Sequence, residues 1–215
     1  MDKIYITKPS LPSLKEYKKS LEKIWESRIL TNDGPFHIQF EKMLKQFLGV
    51  EHLTLVNNAT SGLLIAIKAL GLTGEVITTP FTFIATSHSL IWNQITPVFV
   101  DTDDNFGNIC HKKIESYITK NTSGILCVHN YGLPGNLEKI DTIAKKHNIR
   151  LIYDSAPAFN VKIDNKSILK YGDYSVLSFH ATKVFTTFEG GAIISKNKIL
   201  ESKVCKLRNF AIEGP

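Results

Sequence analysis

The feature that most constrains the fold is an alternation of short apolar strands with helical segments, which begins near residue 50. The predicted strands cover residues 52–56, 75–79, 96–101, 123–129, 150–155, 174–180 and 190–195. Helical segments fall between them at residues 61–70, 84–92, 113–118 and 137–147. The strands are β-branched and apolar on both faces, as in a parallel sheet that helices cover on both sides. The loop between the last two strands is too short for a helical crossover, so we expect that pair to be antiparallel. The pattern predicts an α/β fold with a mostly parallel sheet, one antiparallel strand and helices on both faces.

A helical arm precedes the alternating region. Apolar residues recur at helical spacing from Leu14 to Trp25 and again from Phe36 to Leu48. The turn-forming segment Thr-Asn-Asp-Gly-Pro at residues 31–35 separates these two helices. We therefore predict two units: an N-terminal helical arm over residues 1–35 and a large domain over residues 36–215.

The charge excess of the chain is mild, with 26 Lys and Arg residues against 20 Asp and Glu residues and a formal net charge of +6. Most of the basic residues are spread along the chain, which does not imply nucleic-acid binding. A modest positive field still favours an anionic small molecule. The densest basic stretch, residues 196–208, is relieved only by Glu201 and is interpreted as a solvated helix face.

Cysteine, histidine and hydropathy patterns exclude several classes of protein. The three cysteines have no Cys-x-x-Cys spacing, so neither a disulfide framework nor a metal site is expected. Cys127 lies in an apolar run and is interpreted as a buried small hydrophobe. The N-terminus has no apolar signal core, and no apolar run approaches the ~18 residues of a membrane span. We therefore expect a cytoplasmic chain with no membrane segment.

Polar side chains follow the carboxyl ends of several predicted strands, where ligands bind in open α/β sheets. The first strand leads into Asn-Asn-Ala-Thr-Ser-Gly and a helix, whose free N–H groups and dipole favour an anion. Two later strands end at Asp154 and Ser178, with Lys183 close behind, and Phe83 follows the second strand. No Gly-x-Gly-x-x-Gly follows the first strand, so a Rossmann dinucleotide site is not expected.

An anion cradle, a strand-end carboxylate, an aromatic side chain and a single lysine could together serve several chemistries. Pyridoxal phosphate (PLP) needs all four: the lysine amine forms a Schiff base, and the carboxylate keeps the pyridine nitrogen protonated. The cradle binds the phosphate, and the aromatic covers the ring. Strand ends are polar in any α/β protein, so these residues by themselves leave PLP binding as one interpretation among several.

Seven segments of the chain resemble, in the same order, the sugar aminotransferases of the DegT/DnrJ/EryC1/StrS family. They read TNDGPFHIQFEKML, VNNATSGLLIAIKALG, GEVITTPFTFIATSHSL, TPVFVDTD, VHNYGLPGN, LIYDSAPAF and FHATKVFTTFEGGAII. The resemblance covers nearly the whole chain. It implies the large domain of a fold-type I PLP-dependent transferase, with PLP as cofactor and a homodimer as the assembly.

The resemblance also implies roles for individual residues. Lys183 falls on the Schiff-base lysine, which also moves a proton between substrate and cofactor. Asp154 matches the carboxylate that pairs with the pyridinium nitrogen, and Phe83 matches the stacking aromatic. Ala59, Thr60 and Ser178 match the phosphate cradle. The predicted cofactor-binding set is therefore Ala59, Thr60, Phe83, Asp154, Ser178 and Lys183, with Lys183 as the catalytic residue.

Three features depart from the family pattern. Pro157 stands where members place a Gln or His that contacts the phenolic oxygen of the cofactor, and a proline side chain cannot donate a hydrogen bond. Asn160 replaces a glycine, and asparagine tolerates unusual backbone angles better than most residues. Family members also continue into a C-terminal small domain that closes the substrate cleft, whereas we expect this chain to carry only the large domain. Outside the set above, His129 and His180 are assigned no role, and Asp101 is interpreted as a strand-end cap.

The resemblance implies transfer of an amino group from glutamate to a nucleotide-linked 4-keto-6-deoxy sugar of the dTDP-4-dehydro-6-deoxyglucose class. Such products suggest O-antigen, lipopolysaccharide or other surface-polysaccharide synthesis. A second hypothesis is a truncated, catalytically silent binding or interaction protein of the same fold, because Pro157 and the missing small domain both bear on the site. A PLP-dependent sugar dehydratase of the same group expects histidine in place of the Schiff-base lysine, and Lys183 argues against it.

Overall fold

The computed structural model describes residues 4–104 and 106–212. The strands are β1 (Leu53–Val56), β2 (Glu75–Thr78), β3 (Thr96–Phe99), β4 (Thr122–Val128), β5 (Arg150–Asp154), β6 (Lys162–Ile163), β7 (Lys166–Ser167), β8 (Tyr174–Ser178) and β9 (Gly191–Ser195). The helices are α1 (Leu14–Ser27), α2 (Pro35–Leu48), α3 (Ala59–Leu70), α4 (Ala85–Trp92), α5 (His111–Ile114), α6 (Leu137–Lys146) and α7 (Lys198–Arg208). Short 3-10 turns occupy Glu115–Tyr117, Asn130–Gly132 and Ile168–Lys170. Residues 1–3 of the predicted arm and residues 213–215 of the predicted large domain lie outside the described residues. No helix within the described ranges is long and apolar enough to cross a membrane.

Seven strands form one sheet in the order β1-β9-β8-β5-β4-β2-β3. Neighbouring strands from β8 to β3 pair in parallel, whereas β9 is antiparallel to both β1 and β8. The prediction of a mostly parallel sheet with one antiparallel strand is therefore confirmed. All strands except β9 consequently end at the same edge of the sheet, and β9 begins there.

Side chains alternate between the two faces of the sheet, and helices bury both faces. On one face α3, α4 and α7 cover residues such as Leu126, Ile152 and Ile193. On the other face α2, α5 and α6 cover residues that include Cys127 and Tyr153. Full burial of one such side chain stabilises the fold by about 1.5–3 kcal/mol. Cys127 is buried, as predicted.

The two N-terminal helices differ in how they pack. α1 buries none of its side chains, whereas α2 packs Leu44 and Leu48 against the sheet. Pro35 was expected in the loop but is the first residue of α2, because its fixed φ suits the first helical position and the N–H it lacks has no intrahelical acceptor there. The division into an arm and a domain at residue 35 stays a prediction.

The basic stretch near the C-terminus forms α7, and its lysines are exposed, as the interpretation of a solvated face requires. Glu201 instead lies on the buried side of this helix. Its carboxylate accepts hydrogen bonds from Lys45 Nζ at 3.1 Å and Lys198 Nζ at 2.9 Å, and lies 3.1 Å from His52 Nδ1. The cluster links α2, the segment before β1 and α7.

Candidate active site

The carboxyl ends of β1, β5 and β8 open onto a cleft of about 750 Å³. The six residues predicted to bind a cofactor all line this cleft: Ala59, Thr60, Phe83, Asp154, Ser178 and Lys183. They come from distant parts of the sequence and meet here because parallel strands end at the same edge of a sheet.

One wall of the cleft is the first turn of α3. The side chain of Asn58 caps this helix by accepting the N–H of Ser61 at 2.8 Å. The backbone carbonyl of Asn58 accepts the N–H of Gly62 at 3.1 Å. Ala59 and Thr60 are the first two residues of α3, so their N–H groups have no acceptor within the helix. Two free amides at the positive end of a helix dipole form an anion site.

Gly191 at the start of β9 lets the sheet approach this helix start. A Cβ atom at Gly191 would lie 3.0 Å from the nitrogen of Ala59 and 2.9 Å from the carbonyl carbon of Asn58. A third contact, 2.7 Å to the carbonyl oxygen of Leu177, would also be with backbone. Because none of these backbone atoms can move aside cheaply, the absence of a side chain at Gly191 sets the position of the anion site.

Asp154 supplies a buried carboxylate to the cleft. Asp154 is the last residue of β5 and is only 5% exposed. Oδ2 accepts a hydrogen bond from Thr86 Oγ1 at 2.7 Å, and Oδ1 accepts one from the N–H of Ala156 at 3.1 Å. Burial raises the pKa of Asp154, while these two hydrogen bonds and the charge of Lys183 act to lower it. No cationic group of the described residues lies within ion-pair distance, so the carboxylate is suited to a cationic ligand atom.

Lys183 supplies a half-buried amine that makes no hydrogen bond or ion pair with any other described residue. Its backbone N–H donates to the carbonyl of His180 at 2.9 Å, which forms the turn after β8. Ser178, the last residue of β8, is 6% exposed and lines the same cleft. The amine, the carboxylate of Asp154 and the hydroxyl of Ser178 are thus carried by neighbouring strand ends.

His180 has a defined ring orientation beside Lys183. Its Nδ1 accepts the N–H of Thr182 at 3.2 Å, so in the neutral ring the proton sits on Nε2. Nε2 lies 3.4 Å from Oε1 of Glu189, which also lines the cleft. His180 has no role predicted from the sequence, and Glu189 lies outside the predicted cofactor-binding set.

Phe83 is 77% exposed and projects from the segment before α4 into the cleft lining. A core function for this ring is therefore excluded. Phe81, the other aromatic of the segment, is 48% exposed and lies 6.3 Å from the ring of Tyr131. An exposed aromatic at the mouth of a polar cleft is suited to cover a planar ligand.

The structure shows the backbone surroundings of Pro157 and Asn160, two of the three departures from the family pattern. Pro157 lies in a turn closed by a hydrogen bond from the N–H of Ala158 to the carbonyl of Ser155 at 2.8 Å, and it does not line the cleft. Asn160 has a φ of 56°, in the left-handed region that asparagine tolerates. Asn160 thus accommodates a backbone conformation that glycine also adopts readily.

Thr86 is the residue of this site that sequence reasoning missed most clearly. It is fully buried on α4 and donates to Asp154 from 68 positions away in sequence. Nothing in the local sequence identifies its partner. The role of Asn58, by contrast, could be predicted from the local sequence, since an Asn immediately before an apolar helix is a favoured cap.

Asp101 accepts the N–H of Thr102 and pairs with Lys113 outside the cleft, in agreement with its interpretation as a cap.

The lining residues define the chemistry that the cleft can hold. Free amides and a hydroxyl fit a phosphate, the buried carboxylate fits a protonated ring nitrogen, and the free amine fits a carbonyl carbon. The described residues contain no group of three or more His, Cys, Asp or Glu side chains that could hold a metal ion. The cleft therefore fits a phosphorylated, planar, carbonyl-bearing organic cofactor.

Comparison with known proteins agrees with this chemistry. The model of the DegT/DnrJ/EryC1/StrS aminotransferase family matches residues 13–214. The chain belongs to this family. A family relative from Shigella dysenteriae, named dTDP-4-amino-4,6-dideoxy-D-glucose transaminase, is 51% identical over 207 residues, which cover 96% of this chain and 56% of that protein.

Two solved structures share the fold. DesI, crystallised in the presence of its TDP-sugar product, is 35% identical with a TM-score of 0.94; the match covers 98% of this chain and 54% of DesI. NtdA from Bacillus subtilis, with the bound cofactor PMP, is 29% identical with a TM-score of 0.81; the match covers 94% of this chain and 48% of NtdA. This chain spans about half the length of these family relatives.

Proposed function

We propose that this protein is a PLP-dependent nucleotide-sugar aminotransferase. The amino donor is glutamate, and the acceptor is a nucleotide-linked 4-keto-6-deoxy sugar of the dTDP-4-dehydro-6-deoxyglucose class. The name of the Shigella dysenteriae relative and the TDP-sugar in the DesI structure support this substrate class. The observation that carries the proposal is that the buried Asp154 and the amine of Lys183, which form no ion pair with any described residue, line the same cleft.

Each lining residue has a distinct task in this proposal. The N–H groups of Ala59 and Thr60 and the hydroxyl of Ser178 hold the phosphate of PLP. The carboxylate of Asp154 keeps a proton on the ring nitrogen, and Phe83 covers the ring. Bound PLP supplies an electron sink for the electron pair that a substrate carbon releases when it loses a proton.

Lys183 acts as both nucleophile and general base. Its Nζ would hold PLP as a nucleophile. When not bonded to the cofactor, the same amine would take a proton from the α-carbon of glutamate as a general base. The same amine moves the proton in the opposite sense when the sugar ketone receives the amino group.

The proposal extends to the setting of the reaction. We expect a cytoplasmic homodimer that serves O-antigen, lipopolysaccharide or other surface-polysaccharide synthesis, with residues 1–35 as an arm on the large domain of residues 36–215. The exposed apolar residues of α1, among them Leu14, Tyr17 and Trp25, support a contact with a further protein surface. Sedimentation of the purified chain measures the dimer directly, and a monomer at all concentrations contradicts this part of the proposal.

The first test is the visible absorbance of the purified chain mixed with PLP, before and after glutamate is added. The expected result is the band of lysine-bound PLP, which glutamate converts to the pyridoxamine phosphate spectrum. Lys183→Ala is expected to abolish the band. Lys196→Ala, which changes an exposed lysine away from the cleft, is the matched control and is expected to retain it.

The outcomes separate the proposal from its rival. A folded chain that shows no band with Lys183 intact overturns the proposed activity and favours the silent binding protein, for which Pro157 is the supporting observation. A band that survives in Lys183→Ala overturns the role of that lysine. If the band and its response to glutamate are present, mass spectrometry of products from dTDP-4-dehydro-6-deoxyglucose tests the acceptor.

A further inference from the structure

A chain of two hydroxyl groups lies behind the carboxylate of Asp154. Thr86 Oγ1 donates to Asp154 Oδ2 at 2.7 Å, and Thr82 Oγ1 lies 2.7 Å from Thr86 Oγ1. A hydroxyl has one proton, and an ionised carboxylate can only accept. The proton of Thr86 is therefore committed to Asp154, and Thr82 must be the donor in the Thr82–Thr86 hydrogen bond. The direction of the chain is fixed from Thr82 through Thr86 to Asp154.

This arrangement is more than a local helix cap. Threonines near a helix start commonly bond to neighbouring backbone groups. Thr86 instead reaches across to β5, and it is fully buried, so the hydrogen bond is not shared with water. Hydrogen bonds to a charged group in such a setting contribute more than those between neutral groups.

Three groups counter the cost of burying the charge of Asp154. They are the hydroxyl of Thr86, the N–H of Ala156 and the charge of Lys183. In the proposed function the amine of Lys183 would hold PLP. The hydrogen bonds from Thr86 and from the N–H of Ala156 would then continue to stabilise the ionised carboxylate.

We propose that Thr86, oriented by Thr82, is a positioning residue that keeps Asp154 ionised and aimed so that it can bind the protonated ring nitrogen of PLP. The inference rests on the proposed function, because it assigns Asp154 to that nitrogen. Thr86 itself does not line the cleft and acts through Asp154. Loss of its hydroxyl therefore weakens PLP binding without removing any group that touches PLP.

The first arm of the test uses the chain without PLP. Urea unfolding is measured from pH 3 to pH 8 for the unsubstituted chain, Thr86→Val and Thr86→Ser, each with Asp154 and with Asp154→Asn. Removing the hydroxyl raises the pKa of Asp154 further, so ionisation of this carboxyl in the folded chain costs more free energy. The added cost is absent at low pH, where Asp154 is protonated, and appears as pH rises and Asp154 ionises. We expect the loss of stability in Thr86→Val to grow from pH 3 to neutral pH, and to be independent of pH in the Asp154→Asn background.

The second arm measures PLP affinity. Thr86→Val is expected to raise the dissociation constant at least about tenfold, while Thr86→Ser stays within about threefold of the unsubstituted chain. Thr82→Val, which leaves the donor in place but unoriented, is expected to give an intermediate loss. Thr86→Ser and Thr82→Val keep the test decisive if Thr86→Val fails to fold.

Two results overturn the inference. One is a stability loss in Thr86→Val that is the same at every pH and unchanged by Asp154→Asn, which indicates packing alone. The other is unaltered PLP affinity in both Thr86→Val and Thr82→Val. If the unsubstituted chain binds no PLP, the proposed function fails, and the pH dependence of the first arm still decides whether Thr86 sets the state of Asp154.

Discussion

The imidazole of His129 stacks on the phenol ring of Tyr153, with ring centroids 4.7 Å apart and an interplanar angle of 16°. Neither ring nitrogen of His129 has a hydrogen-bond partner within the described residues, and the same holds for the hydroxyl of Tyr153. Burial lowers the pKa of His129 to about 3. His129 is therefore neutral at physiological pH, and its ring packs as an apolar aromatic group directly after β4.

This neutral histidine predicts an acid sensitivity of the fold. In the unfolded chain His129 takes up a proton near pH 6.5, whereas the folded chain resists it down to about pH 3. The contribution of His129 to stability is thus complete above pH 6.5 and is lost as pH falls below it, by up to about 1.4 kcal/mol per pH unit. His129→Phe should flatten this part of the pH–stability curve measured by urea unfolding. His88→Phe, at an exposed histidine, is the control, and equal slopes in all three proteins would contradict the prediction.

Glu201 predicts a second loss of stability on acidification, at lower pH than that of His129. Burial works against its charge, but Lys198, Lys45 and His52 lower the pKa of its carboxyl below the usual value of 4.5. The stabilisation is therefore present above pH 4.5 and is lost as pH falls through the lowered value. Glu201→Ala should cost about 2 kcal/mol at pH 7, because the cations are partly exposed and keep some hydration. Glu22→Ala on α1 is the control, and a loss as large below pH 4 as at pH 7 would count against the ionic explanation.

Gly191→Ala should damage the anion site through the backbone. The added Cβ meets backbone atoms of Leu177, Asn58 and Ala59 at 3.0 Å or less, so the start of α3 must shift. We expect a stability loss of about 1–3 kcal/mol, and PLP affinity should fall by more than this loss alone explains. Gly135→Ala, whose new Cβ would meet atoms no closer than 3.4 Å, should leave PLP affinity unchanged. Crystal structures of both variants would show directly whether the amides of Ala59 and Thr60 have moved.

Phe83→Ala separates ligand binding from folding. The ring is largely exposed, so its removal should change the free energy of unfolding by less than about 0.5 kcal/mol. PLP affinity should fall about three- to tenfold, since a stacked aromatic contributes about 0.5–1.5 kcal/mol. Titration of PLP followed by absorbance measures the change, with Phe81→Ala as the neighbouring control. An equal effect of both variants would indicate that Phe83 does not cover the ring.

The strands and the cleft were predictable because their signals are local or follow a general rule of α/β folds. Runs of β-branched residues predicted each strand of the main sheet to within about two residues, and strand ends indicated where Asp154 and Ser178 would meet Lys183. The hairpin of β6 and β7 was missed, although Asp164 and Asn165 form the left-handed pair that such a tight turn requires. The helix predicted at 113–118 instead begins at His111 and ends in a 3-10 turn.

The contacts that escaped prediction depend on pairs of residues distant in sequence. A basic stretch with one acid predicts an exposed helix, but only the packed structure shows that Glu201 faces Lys45, 156 positions away. The hydrogen bond between Thr86 and Asp154 could not be predicted for the same reason, because the two residues are 68 positions apart. Hydrophobic periodicity indicates which face of a helix is buried, and it carries no information about which polar groups meet there.

The antiparallel strand β9 determines when the cleft can form as the chain is synthesised. β1 and the start of α3 leave the ribosome early, yet β1 lies at the sheet edge and pairs with β9 alone. Until β9 has been made and inserted, the start of α3 lacks the close backbone contact at Gly191 that sets its position. The capacity to bind a ligand and the closure of the sheet therefore arrive together, in a late long-range step. A ligand that spans the two walls shifts the equilibrium toward the closed sheet by mass action, so its availability also governs how much of the newly made chain persists.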